Sequence, residues 1–265
     1  MRLRALPAYG LALLLLVAGC GDADSPGTAG GGPAPVASGA FPDEPPAPPT
    51  PRPTRAVPTL PPLRPLPTKL PAGLQRTSGV RAVALTFDDG PDPVWTPKVL
   101  DELKAAGVTA TFCVVGSEVT RHPALVRRIV REGHQLCNHS WRHDFDLGRR
   151  PIAEIRSDLV RTNQAIRRAV PRAKVPFYRQ PGGRWTPEVV AVAKKLGMRS
   201  LHWTVDPQDW GKPTAITIAA RVRVAARPGA VVLLHDGGGN RAATLTACPG
   251  LIRDLKRSYG VARLR

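Results

Sequence analysis

Acidic residues and long hydrophobic runs are scarce in this sequence. It has 20 aspartates and glutamates against 38 lysines and arginines, which gives a formal net charge of +18. The apolar run at residues 11–17 is too short to form a durable transmembrane helix. The sequence also has no recognisable nucleic-acid-binding module, so its basic charge does not by itself predict a nucleic-acid partner.

Aromatic residues are almost absent from residues 21–78, a segment that contains 16 of the 30 prolines. A chain of this composition cannot bury enough apolar surface to fold. We therefore predict a disordered proline-rich linker, which would extend ~3 Å per residue. It would hold the remaining chain away from a membrane and within a cell wall, or it would be a tail of no required length.

The first 20 residues have the pattern of an export signal. Arg2 and Arg4 precede the apolar run, and small residues lead directly to Cys20. This ending resembles the lipobox of bacterial lipoproteins, in which the cysteine is lipidated and becomes the new N-terminus. The resemblance implies a lipid anchor on Cys20 at the extracellular face of the bacterial cell membrane, because two acyl chains anchor a protein stably. An ordinary signal peptide with an incidental cysteine is the alternative.

Residues 79–265 are enough for one domain with a sizeable core, which we expect to be a monomer. The formal net charge of this part is about +15, which favours an anionic neighbour such as a cell-wall polymer or phospholipid. Arginines on solvated helix faces would give the same charge without any partner.

Strand-like and helical patterns alternate through this domain. The strand-like apolar runs are residues 80–87, 108–115, 134–138, 177–178, 198–205 and 230–234. The stretches of helical periodicity are residues 96–106, 117–132, 151–170, 186–196, 214–226 and 244–258. This alternation predicts an α/β fold with a parallel sheet, either open or closed into a barrel.

Polar residues follow the ends of the predicted strands, where the catalytic residues of a βα barrel gather. Asp88 and Asp89 stand side by side before a Gly-Pro turn. His139 and His143 follow the third strand and could face one metal ion if that short segment is helical. With Asp89 they form a two-histidine, one-carboxylate set that suits one divalent metal ion, zinc first, but also cobalt, nickel or iron(II). Each signal alone is also typical of an ordinary turn or a surface histidine pair.

Further candidates share a position at the ends of the later strands. They are Arg179, Pro181, Gly182, Asp209, Trp210, Leu233 and His235. An arginine in such a place could stabilise the charge of a nearby carboxylate. A histidine that closes an apolar strand is more often structural than catalytic unless an acidic partner is near.

Together these segments resemble the five motifs of the NodB-homology polysaccharide deacetylases, carbohydrate esterase family 4. The motifs occur in the family's order at residues 86–91, 139–143, 179–181, 206–210 and 233–235. The resemblance implies a distorted (β/α) barrel of about seven parallel strands with outer helices. Many members have tyrosine where this chain has Gly182, so we expect one wall of the substrate groove to lack an aromatic ring.

The resemblance also implies roles for the residues around the two carboxylates. Asp89, His139 and His143 would hold the divalent metal ion, which supplies an activated water. Asp88 would be the general base that accepts the water proton. Arg179 would pair with Asp88 and orient it.

On the other side of the site, His235 would be the general acid, with Asp209 stabilising its imidazolium. The turn at Pro181 and Gly182 would face the substrate, and the Gly182 N–H would hold the oxyanion. Trp210 and Leu233 would enclose the acetyl methyl group.

The resemblance predicts a metal-dependent deacetylase that hydrolyses the acetamide of an N-acetylated glycan, peptidoglycan N-acetylglucosamine or a chitin-like oligomer. An O-acetyl esterase acting on xylan-like polysaccharide is one alternative. A non-catalytic glycan-binding surface lipoprotein is another, although the complete set of motif residues argues against it.

Three cysteines lie in the predicted domain. Cys113 and Cys137 fall on neighbouring predicted strands and could form a disulfide, as suits an exported protein, or remain buried thiols. Cys248 has no evident partner in the sequence.

Overall fold

The computed structural model describes residues 69–265. The predicted signal peptide and most of the predicted linker lie outside the described residues. Among the helices that are described, none combines the length and the apolarity needed to cross a bilayer.

Seven parallel strands form one sheet in the described chain, as the sequence led us to expect. The strands are β1 (Leu74–Gln75), β2 (Ala84–Asp88), β3 (Thr111–Val114), β4 (Gln135–Asn138), β5 (Phe177–Tyr178), β6 (Arg199–Leu201) and β7 (Val231–His235). Their order across the sheet is β1-β6-β5-β4-β3-β2-β7.

The sheet curls toward closure near its two edges. Beyond β6, Val205 forms a parallel bridge with Val232 of β7. The Val205 carbonyl accepts a hydrogen bond from the Leu233 N–H at 2.9 Å. Thr77 forms an antiparallel bridge with Ala230. The sheet is therefore a curled half-barrel, which is the distorted barrel that was predicted.

Seven α-helices lie between the described strands or, in the case of the last, after them. They are α1 (Thr96–Ala105), α2 (Gly116–Arg121), α3 (Pro123–Arg131), α4 (Ile152–Ala169), α5 (Pro187–Lys195), α6 (Ala215–Ala225) and α7 (Ala242–Ser258). The single helix expected at residues 117–132 is wrong, because the chain breaks into α2 and α3 at His122. A residue before proline is pushed out of the helical region, and Pro123 then begins the next helix.

The strands β2, β3 and β7 bury both of their faces. On β2, Leu85 and Phe87 join the large apolar cluster beneath the helices, whereas Ala84 belongs to a smaller cluster on the inner face. Because successive side chains of a strand point to opposite faces, Asp88 shares the inner face with Ala84. On β7, Leu233 lies in the same inner cluster, two residues before His235. The alternation of side chains along the strands therefore places Asp88 and His235 on the inside of the half-barrel.

The folded domain begins earlier than predicted. Residues 74–78 were expected to belong to the linker, but β1 pairs with β6 through Leu74 and Ser200. Ser78 is buried and donates its hydroxyl to the carbonyl of Ala82 at 2.7 Å. The edge of β6 offers unpaired backbone groups, and an extended segment satisfies them even without an apolar pattern of its own.

Candidate active site

Two adjacent carboxylates end β2. Asp88 is the last residue of the strand, and Asp89 follows it in the left-handed region with a φ of 75°. The left-handed residue breaks the alternation of the strand, so both side chains line the same cleft.

His139 and His143 approach these carboxylates from a bend that follows β4. The bend contains left-handed backbone at Ser140 and His143, so the two histidines converge without the helical segment that was the condition for it in the sequence analysis. The Asn138 side chain holds the bend by accepting the Ser140 N–H at 2.9 Å. The Nε2 atoms of His143 and His139 lie 3.1 Å and 3.4 Å from Asp89 Oδ1.

Asp89, His139 and His143 form a set that fits a metal ion. One ligand atom from each residue lies within 4.8 Å of the others. Asp89 Oδ1 is buried and accepts no well-aligned hydrogen bond from the described residues, which is costly for a carboxylate unless a cation is near. His139 Nδ1 lies 2.8 Å from the Arg179 carbonyl. When Nδ1 donates its proton to that carbonyl, Nε2 has a free lone pair that can bind a metal ion held by Asp89 and His143.

The ionisation of Asp89 agrees with this role. Burial acts to raise its pKa, but the imidazoles of His139 and His143, when they carry a proton on Nε2, outweigh burial and hold the pKa well below the ordinary value; a cation in place of those protons would favour the carboxylate in the same way. Asp89 is therefore a carboxylate at any physiological pH.

Arg179 connects Asp88 to the rest of the inner face. It is fully buried, and its Nη1 atom donates to Asp88 Oδ1 at 2.7 Å and to Thr86 Oγ1 at 2.8 Å. Its Nε atom donates to the Leu201 carbonyl at 3.2 Å. These bonds fix one oxygen of Asp88, while the other lies 3.5 Å from His139 Nε2. A buried ion pair of this kind needs a partner for each hydrogen-bonding group.

His235 lies directly beside Asp88, because the ladder between β2 and β7 pairs the two residues. Its Nδ1 atom is 2.7 Å from Asp209 Oδ1. The other oxygen of Asp209 accepts the His235 backbone N–H at 2.9 Å and the Thr244 hydroxyl at 2.8 Å. Burial lowers the pKa of His235, but the carboxylates of Asp209, first of all, and of Asp89 and Asp88 outweigh burial and raise the pKa to about 9. The imidazole is therefore protonated near neutral pH and can give up a proton.

These groups open into a cleft of about 900 Å³. The cleft is lined by Trp210, Leu233 and Gly182, the residues that were predicted to contact the substrate. Pro181, which was expected to face the substrate with Gly182, is buried instead. It begins a 3₁₀ turn at Pro181–Gly183, and the exposed residue of that turn is Gly182.

The cleft residues that were not anticipated include Phe145, Trp203 and Arg241. Phe145 lies against Gly182, so the expectation of a wall without an aromatic ring is wrong. Trp203 follows Leu201 of the inner face by two residues, and this alternation was a usable signal.

Arg241 lies 3.9 Å from Asp89 Oδ2 and donates to the Gly237 carbonyl at 2.6 Å. No local pattern marks Arg241, because only the path of the loop after β7 brings it to the site.

A disulfide joins Cys113 of β3 to Cys137 of β4 on the inner face. The two residues are direct partners in the strand register. Cys248 of α7 is a buried free thiol, and burial raises its pKa to about 12, so it is unreactive.

Known proteins are similar to this chain in sequence and in fold. The polysaccharide deacetylase family model matches residues 75–201. A chitooligosaccharide deacetylase of Bradyrhizobium sp. is 48% identical over 160 residues, which are 60% of this chain and 73% of the relative.

Two solved structures are also similar. One is a peptidoglycan N-acetylglucosamine deacetylase, with a TM-score of 0.68 at 32% identity over 72% of this chain and 90% of that chain. The other is a CE4 family pseudoenzyme from Bacillus anthracis, with a TM-score of 0.66 at 30% identity over 72% and 67% of the two chains.

Charged groups gathered at the carboxyl ends of parallel strands are the arrangement expected for the active site of a βα-barrel enzyme. The similarity to the Bradyrhizobium protein extends over most of that protein's length. The chain belongs to the polysaccharide deacetylase family and is a carbohydrate deacetylase.

Proposed function

We propose that this protein is a metal-dependent N-deacetylase of a cell-wall glycan, with peptidoglycan N-acetylglucosamine as its favoured substrate. The observation that carries the proposal is the set of Asp89, His139 and His143, which shares one cleft with Asp88 and His235. Relatives named as chitooligosaccharide and peptidoglycan deacetylases support an N-acetylated substrate.

The ligand types indicate which divalent metal ions the site would bind. Two imidazoles and one carboxylate suit zinc, and also cobalt, nickel or iron(II). A metal ion held there supplies Lewis acidity toward a carbonyl oxygen and lowers the pKa of a bound water.

The side chains of the cleft divide the proton transfers between them. Asp88 Oδ1 is held by Arg179, so Oδ2 is the atom that accepts a proton from the attacking water. His235 Nδ1 is engaged by Asp209, so Nε2 is the atom that donates to the leaving nitrogen. The nitrogen of an amide is a poor leaving group unless that nitrogen is protonated, so a protonated histidine beside it would assist the cleavage. Gly182 would give its backbone N–H to the oxyanion.

One experiment on the full-length protein tests the proposal. Acetate and free amine are measured after incubation with peptidoglycan, with an N-acetylglucosamine tetramer and with acetylated xylan. We expect amine and acetate in equal amounts from the first two, loss of both after chelation, and recovery when zinc is added. Acetate from xylan alone would establish the O-acetyl esterase, and no acetate from any substrate would establish a non-catalytic protein.

We also propose that the mature protein is anchored by lipid on Cys20 at the extracellular face of the membrane, where the basic domain would contact anionic wall polymers. The lipobox-like sequence before Cys20 and the charge of the chain support this. Cys20→Ala should move the protein from the detergent phase to the aqueous phase or leave it unprocessed. A Cys20→Ala protein that still enters the detergent phase at mature size would contradict the anchor.

A further inference from the structure

Phe145 is an apolar ring placed at the mouth of the cleft. Its side chain is 46% exposed, although most large apolar side chains of the domain are buried. The ring meets the His143 ring edge to face, with centroids 4.8 Å apart. Ligand pockets are lined mainly by hydrophobic and aromatic side chains, so an exposed ring beside a reactive centre is placed to contact a ligand.

The main chain at Gly182 leaves room for this ring. Gly182 has a φ of +60°, and a Cβ atom there would lie 2.6 Å from Phe145 Cδ1 and 2.7 Å from Cε1. Only glycine therefore permits the ring to lie so close to the turn that carries the proposed oxyanion donor. The ring and the turn form one wall of the cleft.

The loop that carries Phe145 is fixed to the same turn. Gln180 is fully buried, and its Nε2 atom donates to the carbonyls of Asp144 at 3.3 Å and Phe145 at 3.1 Å. Its Oε1 atom accepts a hydrogen bond from the Tyr178 hydroxyl. The Arg184 guanidinium packs over the ring, with its Cζ atom 5.3 Å from the centroid. A buried amide and a cation thus fix the position of the ring in the protein itself.

We infer that Phe145 is a substrate-binding platform: a sugar ring of the N-acetylated glycan stacks its C–H face on the phenyl ring and so directs the acetamide to Asp89 and the histidines. This inference rests on the proposed function and adds a specificity-determining residue to it. A pyranose face is apolar and flat, and a phenyl face attracts its polarised C–H bonds.

The test compares KM and kcat of Phe145 variants on the N-acetylglucosamine tetramer. Phe145→Ala should raise KM about tenfold and leave kcat within a few-fold, because a ring contact to substrate is lost and the proton-transfer groups stay. Phe145→Leu, which keeps apolar volume without a ring, should behave like Phe145→Ala. Phe145→Tyr should restore the low KM. Ile216→Ala is the matched control, since Ile216 is an 82% exposed apolar side chain on α6 that does not line the cleft.

Two outcomes would overturn the inference. If Phe145→Leu keeps the wild-type KM, apolar volume is sufficient and no sugar stacks on the ring. If Phe145→Ala lowers bound metal, measured by elemental analysis, Phe145 acts by supporting His143 and not by binding sugar. Inactivity of the wild-type protein on every acetylated substrate would instead contradict the proposed function, so the two failures are distinguishable.

Discussion

Replacing Asp209 with asparagine removes the charge that stabilises the His235 imidazolium while keeping the shape of the side chain. Asp209 accepts three hydrogen bonds, from His235 Nδ1, from the His235 backbone N–H and from the Thr244 hydroxyl. An asparagine oxygen can still accept the last two, so the loop should remain in place. The amide nitrogen then faces Nδ1, which favours a neutral imidazole with its proton on Nε2.

The size of the effect follows from the pKa of His235. That pKa is raised to about 9 from an ordinary value of 6.5, against the effect of burial, mainly by Asp209. The difference of about 2.5 units corresponds to roughly 3 kcal/mol, to which the Asp88 and Asp89 carboxylates add less than Asp209 does. Without the charge we expect the pKa to return to about 6.5 or lower. At pH 7.5 the protonated fraction would then fall about tenfold, and kcat/KM would fall with it.

The assay is kcat/KM against pH on the N-acetylglucosamine tetramer, with a titration of the His235 imidazole by NMR. The alkaline limb of the Asp209→Asn profile should lie about 2 or more pH units below that of the wild type. Asp254→Asn is the control, because Asp254 pairs with Arg223 on the surface and should leave the limb unmoved. An alkaline limb that stays in place in the Asp209 variant would refute the assignment of His235 as the acid.

Three further predictions test the ligands, the base and the buried histidines. His139→Ala should lower metal content and activity together, with His122→Ala as control; full metal occupancy by elemental analysis would contradict the ligand set. Asp88→Asn should reduce kcat/KM by ~10²–10⁴ yet keep the metal, since Asp88 is not in that set; metal loss would show that the two carboxylate roles are exchanged. Burial lowers the pKa of His134 to about 4 and of His202 to about 3, so the unfolded chain takes up more protons below pH 6.5. These two histidines should therefore lower the free energy of unfolding as the pH drops from 6.5, by roughly 4 kcal/mol at pH 4.5, and a variant that combines His134→Gln and His202→Gln should show a smaller fall of the urea midpoint over this range than the wild type; equal falls would contradict it.

Several features of this protein were determined by the sequence alone, because they depend on short-range pattern. Apolar runs bounded by turn residues marked six of the seven described strands. Polar residues directly after those runs had to meet at one edge, since parallel strands end on the same side. The pattern of the sequence was therefore sufficient to place Asp88, Asp89 and His235 together.

Other features were decided only by the tertiary structure. The two-residue strand β1 exists because β6 has an open edge, and no local propensity marks it. The bend that brings His139 and His143 to Asp89 uses left-handed backbone, which a helical spacing does not predict. Phe145 reaches Gly182 only because a buried glutamine ties one loop to the other. Contacts between distant segments depend on packing, and their residues carry no signal in sequence spacing.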